Sequence, residues 1–236
     1  MKSSDLAEVF RDLSTPHVAD ACLRRKVPVR CAPSGIQALT AAGCHVVGRA
    51  LPARHYGSVD VFLEALESAA PGDILVVDNA GRMDEACVGD LIALEARQAG
   101  IAGIVIWGLH RDTPELIEIG LPVFSLGATP TGPLRLDPRE TEALVSARVG
   151  AWTLTRDDLV MADENGVLFV PASMALELAE MARGVRETEH RQADAMRQGI
   201  SLRTQLQFSG YLAGRASDSS LTFRKHLRQL GGAVEE

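Results

Sequence analysis

Two apolar segments that do not alternate with polar residues constrain the fold of this chain most strongly. They are residues 74–78 and residues 104–107, and the absence of alternation means that both faces of each predicted strand are covered. Residues 91–98 between them have the pattern of an amphipathic helix. A strand, a helix and a second strand in this order predict an α/β architecture with a parallel sheet and helices on each side.

Turn residues and apolar patterns predict the other elements. They are a helix started by residues 14–16, a strand at 44–47, a helix at 59–68, a short helix at 114–119, a third strand at 122–125, a long loop at 126–140 over a site or a subunit boundary, and a hairpin of strands 159–162 and 167–170. From residue 172 to 228 helix formers dominate, with breaks at Gly199 and at residues 217–220. We therefore expect a catalytic core at residues 1–171 and a C-terminal helical extension at 172–236.

Composition limits the classes of partner. The chain of 236 residues carries a net charge of −7 without a compensating basic block, so it is not expected to bind nucleic acid or anionic membranes. Its four cysteines show no C-x-x-C spacing, which predicts reduced thiols rather than a disulfide framework or a zinc site. The amino terminus lacks the apolar stretch of a signal peptide, so a cytoplasmic location is expected.

Arg111-Asp112 is the strongest candidate for a functional site. Arg-Asp also occurs at Arg11-Asp12 and Arg156-Asp157, so the dipeptide alone carries little information. Only Arg111-Asp112 follows a strand that is covered on both faces, where open α/β sheets place their ligand sites. A fixed cation beside a carboxylate at this position is suited to an anionic substrate and a divalent metal.

A second candidate is the predicted start of the helix between the two central strands. Gly89 permits close approach to the main chain, and the free N–H groups of Asp90, Leu91 and Ile92 could bind a substrate carboxylate. Asp90 also has a purely structural interpretation as a favourable acidic residue in the first helical turn.

The histidines are weaker candidates for a functional site. His110 completes a triplet that matches the protein-kinase catalytic loop, but Ile117 stands where that motif needs Asn. We interpret His110 as an orienting or packing residue, because an oxygen-rich metal site does not need it. The other histidines have no ligand-like spacing and are interpreted as satisfied core or surface residues, namely His17, His45, His55, His190 and His226.

Five segments together resemble the family of 4-hydroxy-4-methyl-2-oxoglutarate aldolases and regulators of ribonuclease activity A. They are residues 72–78, Gly89-Asp90, the twenty-residue gap from Asp90 to Arg111-Asp112, residues 121–124 and residues 162–167. The resemblance covers roughly residues 14–171, and the D-x20-R-D element is its most specific part. It implies a swivelling β/β/α-type core, assembled as homotrimers or hexamers with sites between subunits.

The resemblance also implies a class II pyruvate aldolase. Asp112 would bind Mg²⁺ (or Mn²⁺), Arg111 would hold the oxygens of a small-molecule keto acid, the backbone from Gly89 to Ile92 would hold its carboxylate, and Asp90 would lie beside the metal through water. The substrates would be 4-hydroxy-2-oxo acids such as 4-hydroxy-4-methyl-2-oxoglutarate or 4-carboxy-4-hydroxy-2-oxoadipate. A divalent cation and a guanidinium suit the enolate that carbon–carbon cleavage leaves. Oxaloacetate decarboxylation passes through the same enolate and is an expected side activity.

Departures from the family pattern leave alternatives open. Family members commonly have an acidic or small residue where this chain has Trp107, and a small apolar residue where it has His110. Both changes would alter the distal pocket of the substrate, so a lyase for an unrelated keto acid is one alternative. The other is a non-catalytic regulator that binds an RNA-degrading enzyme, but some such regulators lack the Asp of the pair, whereas Asp112 is retained here.

Overall fold

The computed structural model describes residues 3–39 and 43–230. Its helices are α1 (Ser3–Val9), α2 (Thr15–Arg25), α3 (Asp60–Glu67), α4 (Asp90–Gln98), α5 (Thr113–Ile119), α6 (Ala175–Arg197), α7 (Leu202–Gln205), α8 (Phe208–Ser217) and α9 (Phe223–Leu230). Its strands are β1 (Arg30–Cys31), β2 (Gln37–Ala38), β3 (Val46–Arg54), β4 (Ile74–Asp78), β5 (Ala86–Val88), β6 (Gly103–Trp107), β7 (Leu109–His110), β8 (Val123–Ser125), β9 (Ala147–Val149), β10 (Trp152–Leu154), β11 (Asp158–Asp163) and β12 (Gly166–Pro171).

The main sheet has a parallel half and an antiparallel half. Its order across the described residues is β1-β12-β11-β3-β4-β6-β8-β2. Strands β3, β4, β6 and β8 run parallel, so their carboxyl ends share one edge of the sheet. Strand β11 pairs antiparallel with β3 and with β12. The predicted α/β class with a β/β/α-type core is confirmed, and helices follow it at the C-terminal end.

Strand β4 shows how both faces of the parallel half are covered. Leu75 and Val77 pack into the cluster formed with α3 and α4, whereas Ile74 and Val76 pack into the cluster that contains β9. The predicted coverage of both faces is therefore confirmed. The expectation of helices on each side is wrong for the second face, because the hairpin of β9 and β10 covers it instead of a helix.

Most predicted elements are present, with shifted bounds. The strand predicted at 44–47 begins at Val46 and continues to Arg54. The hairpin at 163–166 is confirmed, but Asp163 pairs with Gly166, so its two-residue loop is Glu164-Asn165 rather than Asn-Gly. Helix α1 was not predicted, and it buries Leu6 against the core.

The long helix α6 begins the C-terminal segment. Leu178, Ala179 and Ala182 of its first half are fully buried in the cluster that also contains residues of α2, β11 and β12. The helix then leaves the core, and no residue of its second half is buried. The division of the chain at residue 171 into core and extension stays a prediction. Across the ranges described, no helix combines the length and apolar character needed to cross a membrane.

Candidate functional site

The candidate residues lie at the edge formed by the carboxyl ends of the parallel strands. Arg54, Asp78 and Trp107 are register partners at the ends of β3, β4 and β6. The segments that follow them carry the polar side chains, as expected for an open α/β sheet. Strand order thus brings residues 54–56, 78–90 and 108–112 to one edge.

A short parallel pair, β5 with β7, joins the two halves of the predicted site. Arg111 N donates to Val88 O at 3.0 Å, so the residue after β7 lies directly beside the end of β5. Helix α4 begins one residue beyond Gly89. This pairing explains why Asp90 and Arg111-Asp112 lie together although twenty residues separate them.

Gly89 and Asp112 approach each other more closely than a side chain at position 89 would permit. A Cβ atom at Gly89 would lie 2.3 Å from Oδ2 of Asp112 and 3.2 Å from Nε of Arg111. Oδ2 instead lies over the start of α4, 3.4 Å from the Asp90 N–H that points at it. Because Gly89 has no side chain, the carboxylate of Asp112 can occupy the space in which a Cβ atom would lie.

Asp112 also has an unusual backbone. Its φ of 59° and ψ of 45° lie in the left-handed region, which residues other than glycine adopt rarely and Asp and Asn adopt most readily. It is the N-cap residue of α5, which begins at Thr113. Such conformations cluster at functional sites, where surrounding structure holds them. The left-handed turn directs the Asp112 carboxylate back toward α4.

Arg111 completes the wall of a small cavity of about 140 Å³. Gly89, Asp90, Leu91 and Ile92 line it as well, together with Pro133 from the loop at 126–140. Arg111 Nε lies 3.3 Å from Asp112 Oδ2, and about half of its side chain is exposed. The structure therefore brings the predicted site residues together, and the predicted loop passes over them. Their catalytic and binding roles stay predictions.

The first N–H groups of α4 already have carboxylate partners. Asp90 N faces Asp112, and Leu91 N donates to Oδ1 of Asp90 at 2.7 Å. The second contact joins neighbouring residues across exposed surface, so an incoming carboxylate can replace it. The arrangement shows that this helix start attracts carboxylate oxygens, as the helix dipole favours.

The donor set fits a hydrated divalent cation better than a protein cage. No group of three or more His, Cys, Asp or Glu side chains suited to a metal occurs in the described ranges. Asp112 offers a hard carboxylate whose side chain is 35% exposed, and the Asp90 carboxylate lies across the start of α4. Mg²⁺ commonly binds through one or two carboxylates and keeps several waters. The residues present therefore fit the predicted ion.

His110 lies behind the site rather than in it. It is buried, with Nδ1 2.7 Å from the Ser125 hydroxyl and Nε2 3.1 Å from the Thr113 hydroxyl. Burial lowers the pKa of His110 below its usual value. The two hydroxyl contacts link β7 to β8 and to the start of α5, which supports the interpretation of His110 as an orienting residue.

A larger cavity at the same edge was not predicted. This arginine cavity, of about 440 Å³, is lined by Arg54, His55, Tyr56, Asp78, Ala80, Arg82, Arg135, Asp137, Pro138, Glu140, Arg148 and Thr153. Its side chains come from separate segments that share no spacing, which explains why no motif revealed it. Arg54 and His55 at the end of β3 and Arg82 in the segment after β4 were the available signal.

His55 in this cavity corrects one interpretation. Its ring stacks on Phe62, and its Nδ1 lies 2.9 Å from Oδ1 of Asn79. Nε2 is buried and has no hydrogen-bond partner. The interpretation of His55 as a satisfied histidine is therefore wrong for this nitrogen. Burial, which is the largest cause, and the nearby Arg135 lower the pKa of His55.

Fold and site together define an α/β protein with a carboxylate and a guanidinium gathered at the start of a helix. The profile of the RraA-like family, described as Aldolase/RraA, matches residues 15–169. The chain belongs to this family.

Individual relatives carry two kinds of name. A protein of Alcanivorax borkumensis named "Putative 4-hydroxy-4-methyl-2-oxoglutarate aldolase" is 32% identical over 111 residues, which make up 47% of this chain and 68% of the relative. RraAS2 of Streptomyces coelicolor, described as an unusual member of the RNase ES inhibitor RraA protein family, is 29% identical with a TM-score of 0.67, over 82% of this chain and 96% of that chain.

The fold extends to a further solved structure. A protein of Pseudomonas syringae pv. tomato, described as uncharacterized, superposes with a TM-score of 0.74 at 26% identity. The match covers 85% of this chain and 96% of that chain. Because the family includes proteins with both kinds of name, the site has to decide between them.

Proposed function

We propose that the protein is a divalent-metal-dependent lyase. It cleaves 4-hydroxy-2-oxo di- or tricarboxylic acids to pyruvate and a second keto acid, and it decarboxylates oxaloacetate as a side activity. The observation that carries the proposal is the position of the Asp112 carboxylate, which lies against Gly89 with Arg111 beside it. Support comes also from the aldolase name of the Alcanivorax relative.

Each predicted site residue would have a part in this chemistry. Asp112, whose carboxylate lies against Gly89 of the small cavity, would hold Mg²⁺ or Mn²⁺, and the Asp90 carboxylate would orient a water on the ion. When bound, the ion supplies positive charge and lowers the pKa of its water. The Arg111 guanidinium binds the keto-acid oxygens and stabilises the negative charge that develops as the carbon–carbon bond breaks. The N–H groups from Gly89 to Ile92 bind the substrate carboxylate, and Leu91 N becomes available when the Asp90 side chain turns away.

The cavity is small and has exposed apolar neighbours, which supports a site shared between subunits. Leu91 is 73% exposed, and Leu134 and Leu136 of the adjoining loop are 82% and 74% exposed. Large exposed apolar side chains grouped beside a cavity are typical of a protein interface. The proposal therefore includes a homotrimer or a hexamer in which a neighbouring copy covers these leucines.

A regulator that acts by surface contact is the competing function, because RraAS2 is described as a member of an RNase inhibitor family. Surface contact gives no physical reason for a strained Asp112 backbone or for a glycine that the Asp112 carboxylate requires. The local geometry therefore favours the lyase.

The test is a metal-dependent assay of pyruvate release with Asp112→Asn. Asn tolerates the left-handed backbone but removes the charge, so the fold is retained and release from 4-hydroxy-4-methyl-2-oxoglutarate falls about 10²-fold or more. Asp157→Asn, in another Arg-Asp pair, is the matched control and leaves the rate unchanged. Binding of Mn²⁺, followed by electron paramagnetic resonance, weakens only in Asp112→Asn.

Two results would overturn the proposal. One is equal pyruvate release by wild type and Asp112→Asn. The other is no release from any 4-hydroxy-2-oxo acid or from oxaloacetate, together with capture of an RNA-degrading enzyme that Asp112→Asn does not weaken. The second result would establish the regulator.

A further inference from the structure

The unpartnered buried side-chain atoms of the described residues lie in or directly behind the arginine cavity. In the part of the chain that the structure describes, four buried side-chain nitrogens lack a hydrogen-bond partner: Arg54 Nε, His55 Nε2, Asn79 Nδ2 and Arg82 Nε. Arg54, His55 and Arg82 line the cavity, and Asn79 lies directly behind His55. Buried polar groups are normally paired, so four exceptions at one place indicate a missing partner.

The unpartnered arginine nitrogens call for an acceptor. A guanidinium can only donate, so Arg54 Nε and Arg82 Nε need oxygens from a ligand. The acids nearby do not fill this need. Both oxygens of Asp78 accept backbone N–H groups, from Ala80 at 2.9 Å and Arg148 at 3.0 Å. Its ion pair with Arg54 Nε is 3.8 Å long, too long for a hydrogen bond.

The buried acid of this region is Glu85, whose side chain is 1% exposed. Arg135 Nε donates a hydrogen bond to it at 3.0 Å. Arg82 Nε lies 3.4 Å from the same carboxylate in an ion pair that is not aligned as a hydrogen bond.

The other acids lie on the exposed rim. Asp84, Asp137 and Glu140 pair with arginine side chains of the region, but more than half of each acidic side chain is exposed. Exposed ion pairs contribute little, so an incoming anion can displace these three rim acids.

His55 adds a requirement of the opposite kind. Its Nδ1 donates to Asn79 Oδ1, which also accepts from Arg135 Nη2 at 2.9 Å. Oδ1 can only accept, so in the neutral ring the proton is on Nδ1 and Nε2 carries a lone pair. A hydroxyl group on the ligand would satisfy Nε2.

We propose that the arginine cavity binds a small oxyanion that carries a hydroxyl group next to its charge. The anionic oxygens accept from Arg54 and Arg82, and the hydroxyl donates to His55 Nε2. A hydroxycarboxylate and a phosphate share this chemistry, and a cavity of about 440 Å³ has room for either. The site is distinct from Arg111-Asp112, because the two cavities share no lining residue.

Isothermal titration calorimetry on the full chain, without added metal, tests the proposal with malate, succinate and inorganic phosphate. Malate and succinate differ only by one hydroxyl. Malate binds more tightly than succinate by about three- to tenfold, and His55→Gln abolishes this preference. Arg82→Gln weakens malate binding about tenfold or more, since a charge-assisted hydrogen bond is lost.

Two variants serve as controls. Arg156→Gln removes the same charge beside Asp73, at the opposite edge of the sheet, and leaves malate affinity unchanged. Asp112→Asn also leaves it unchanged, which separates this proposal from the proposed lyase activity.

The outcomes are distinct. Binding of phosphate that competes with malate and weakens in Arg82→Gln supports the site and identifies phosphate as an occupant. Absence of heat with malate and with phosphate, or equal binding by wild type and Arg82→Gln, overturns the site. Equal affinity of the wild type for malate and succinate overturns the role of His55, and this comparison needs no variant to fold.

Discussion

Substitution of Gly89 by alanine isolates the contact on which the proposed activity depends. The backbone of Gly89 is extended, with φ of −133° and ψ of −165°, so alanine brings no backbone strain. Its Cβ would lie 2.3 Å from Asp112 Oδ2, whereas ordinary contact begins near 3.4 Å. The difference, 3.4 − 2.3 = 1.1 Å, is the least distance that the carboxylate has to move.

The expected effect falls on activity and hardly on stability. A displacement of about 1 Å at a reacting group costs about 10²-fold in rate. The Asp112 side chain is partly exposed and can turn toward solvent, so the fold loses the long contact with Asp90 N and the exposed ion pair with Arg111, together worth about 0.5 to 1 kcal/mol. A gain of about 0.5 kcal/mol from replacing glycine offsets most of that loss.

The assay compares pyruvate release and thermal unfolding for wild type, Gly89→Ala and Gly184→Ala. Gly184 lies in α6 with no heavy atom within 4 Å of an added Cβ, so Gly184→Ala adds about 0.5 to 1 kcal/mol of stability and leaves the rate unchanged. A wild-type rate of pyruvate release in Gly89→Ala would refute the reasoning, because the activity would then not depend on the observed position of the Asp112 carboxylate.

Two further predictions concern the arginine cavity. Arg135→Gln leaves the buried Glu85 without its closest cation and lowers the free energy of unfolding in urea by about 3 kcal/mol. The Arg82 side chain is more exposed, so Arg82→Gln lowers the same free energy by about 1 kcal/mol or less. Equal losses in the two variants would contradict the view that Arg135 is the main partner of Glu85. Because burial lowers the pKa of His55 below 6.5, the unfolded chain takes up a proton first as pH falls, so stability is complete above about pH 6.5 and decreases below it. Urea unfolding between pH 7 and 5 should show a smaller decrease in His55→Gln than in wild type or His190→Gln, and equal decreases would exclude His55 as the cause.

The fold was predictable where a segment was long and its pattern simple. Strands β4 and β6 are continuous apolar runs, and helix α4 between them is amphipathic, so their types followed from the sequence. Strands β5 and β7 contain three and two residues, too few for any periodicity, yet their pairing assembles the small cavity. Helix α1 was missed because its acidic residues obscured the apolar face that Leu6 buries.

The two cavities differ in how far sequence reasoning could reach. Gly89, Asp90, Arg111 and Asp112 form one spacing pattern in a single strand–helix–strand unit, so their proximity was predictable. Nothing in the sequence predicted the left-handed backbone of Asp112, because residues of many types can precede a helix and none of them specifies this conformation. The arginine cavity draws side chains from distant segments, and the register of β3 with β4, the course of the long loop and the packing of the β9–β10 hairpin bring them together.

The packing of α6 has a practical consequence for anyone who shortens this chain. The family match ends at residue 169, but the apolar interior continues into α6 as far as Ala182. A version cut at the end of the match would expose the surfaces of α2 and β12 that α6 covers, and each lost large aliphatic contact such as Leu178 costs about 1.5 to 3 kcal/mol. The smallest fragment expected to remain folded therefore retains the first half of α6, through Val185, which is also fully buried.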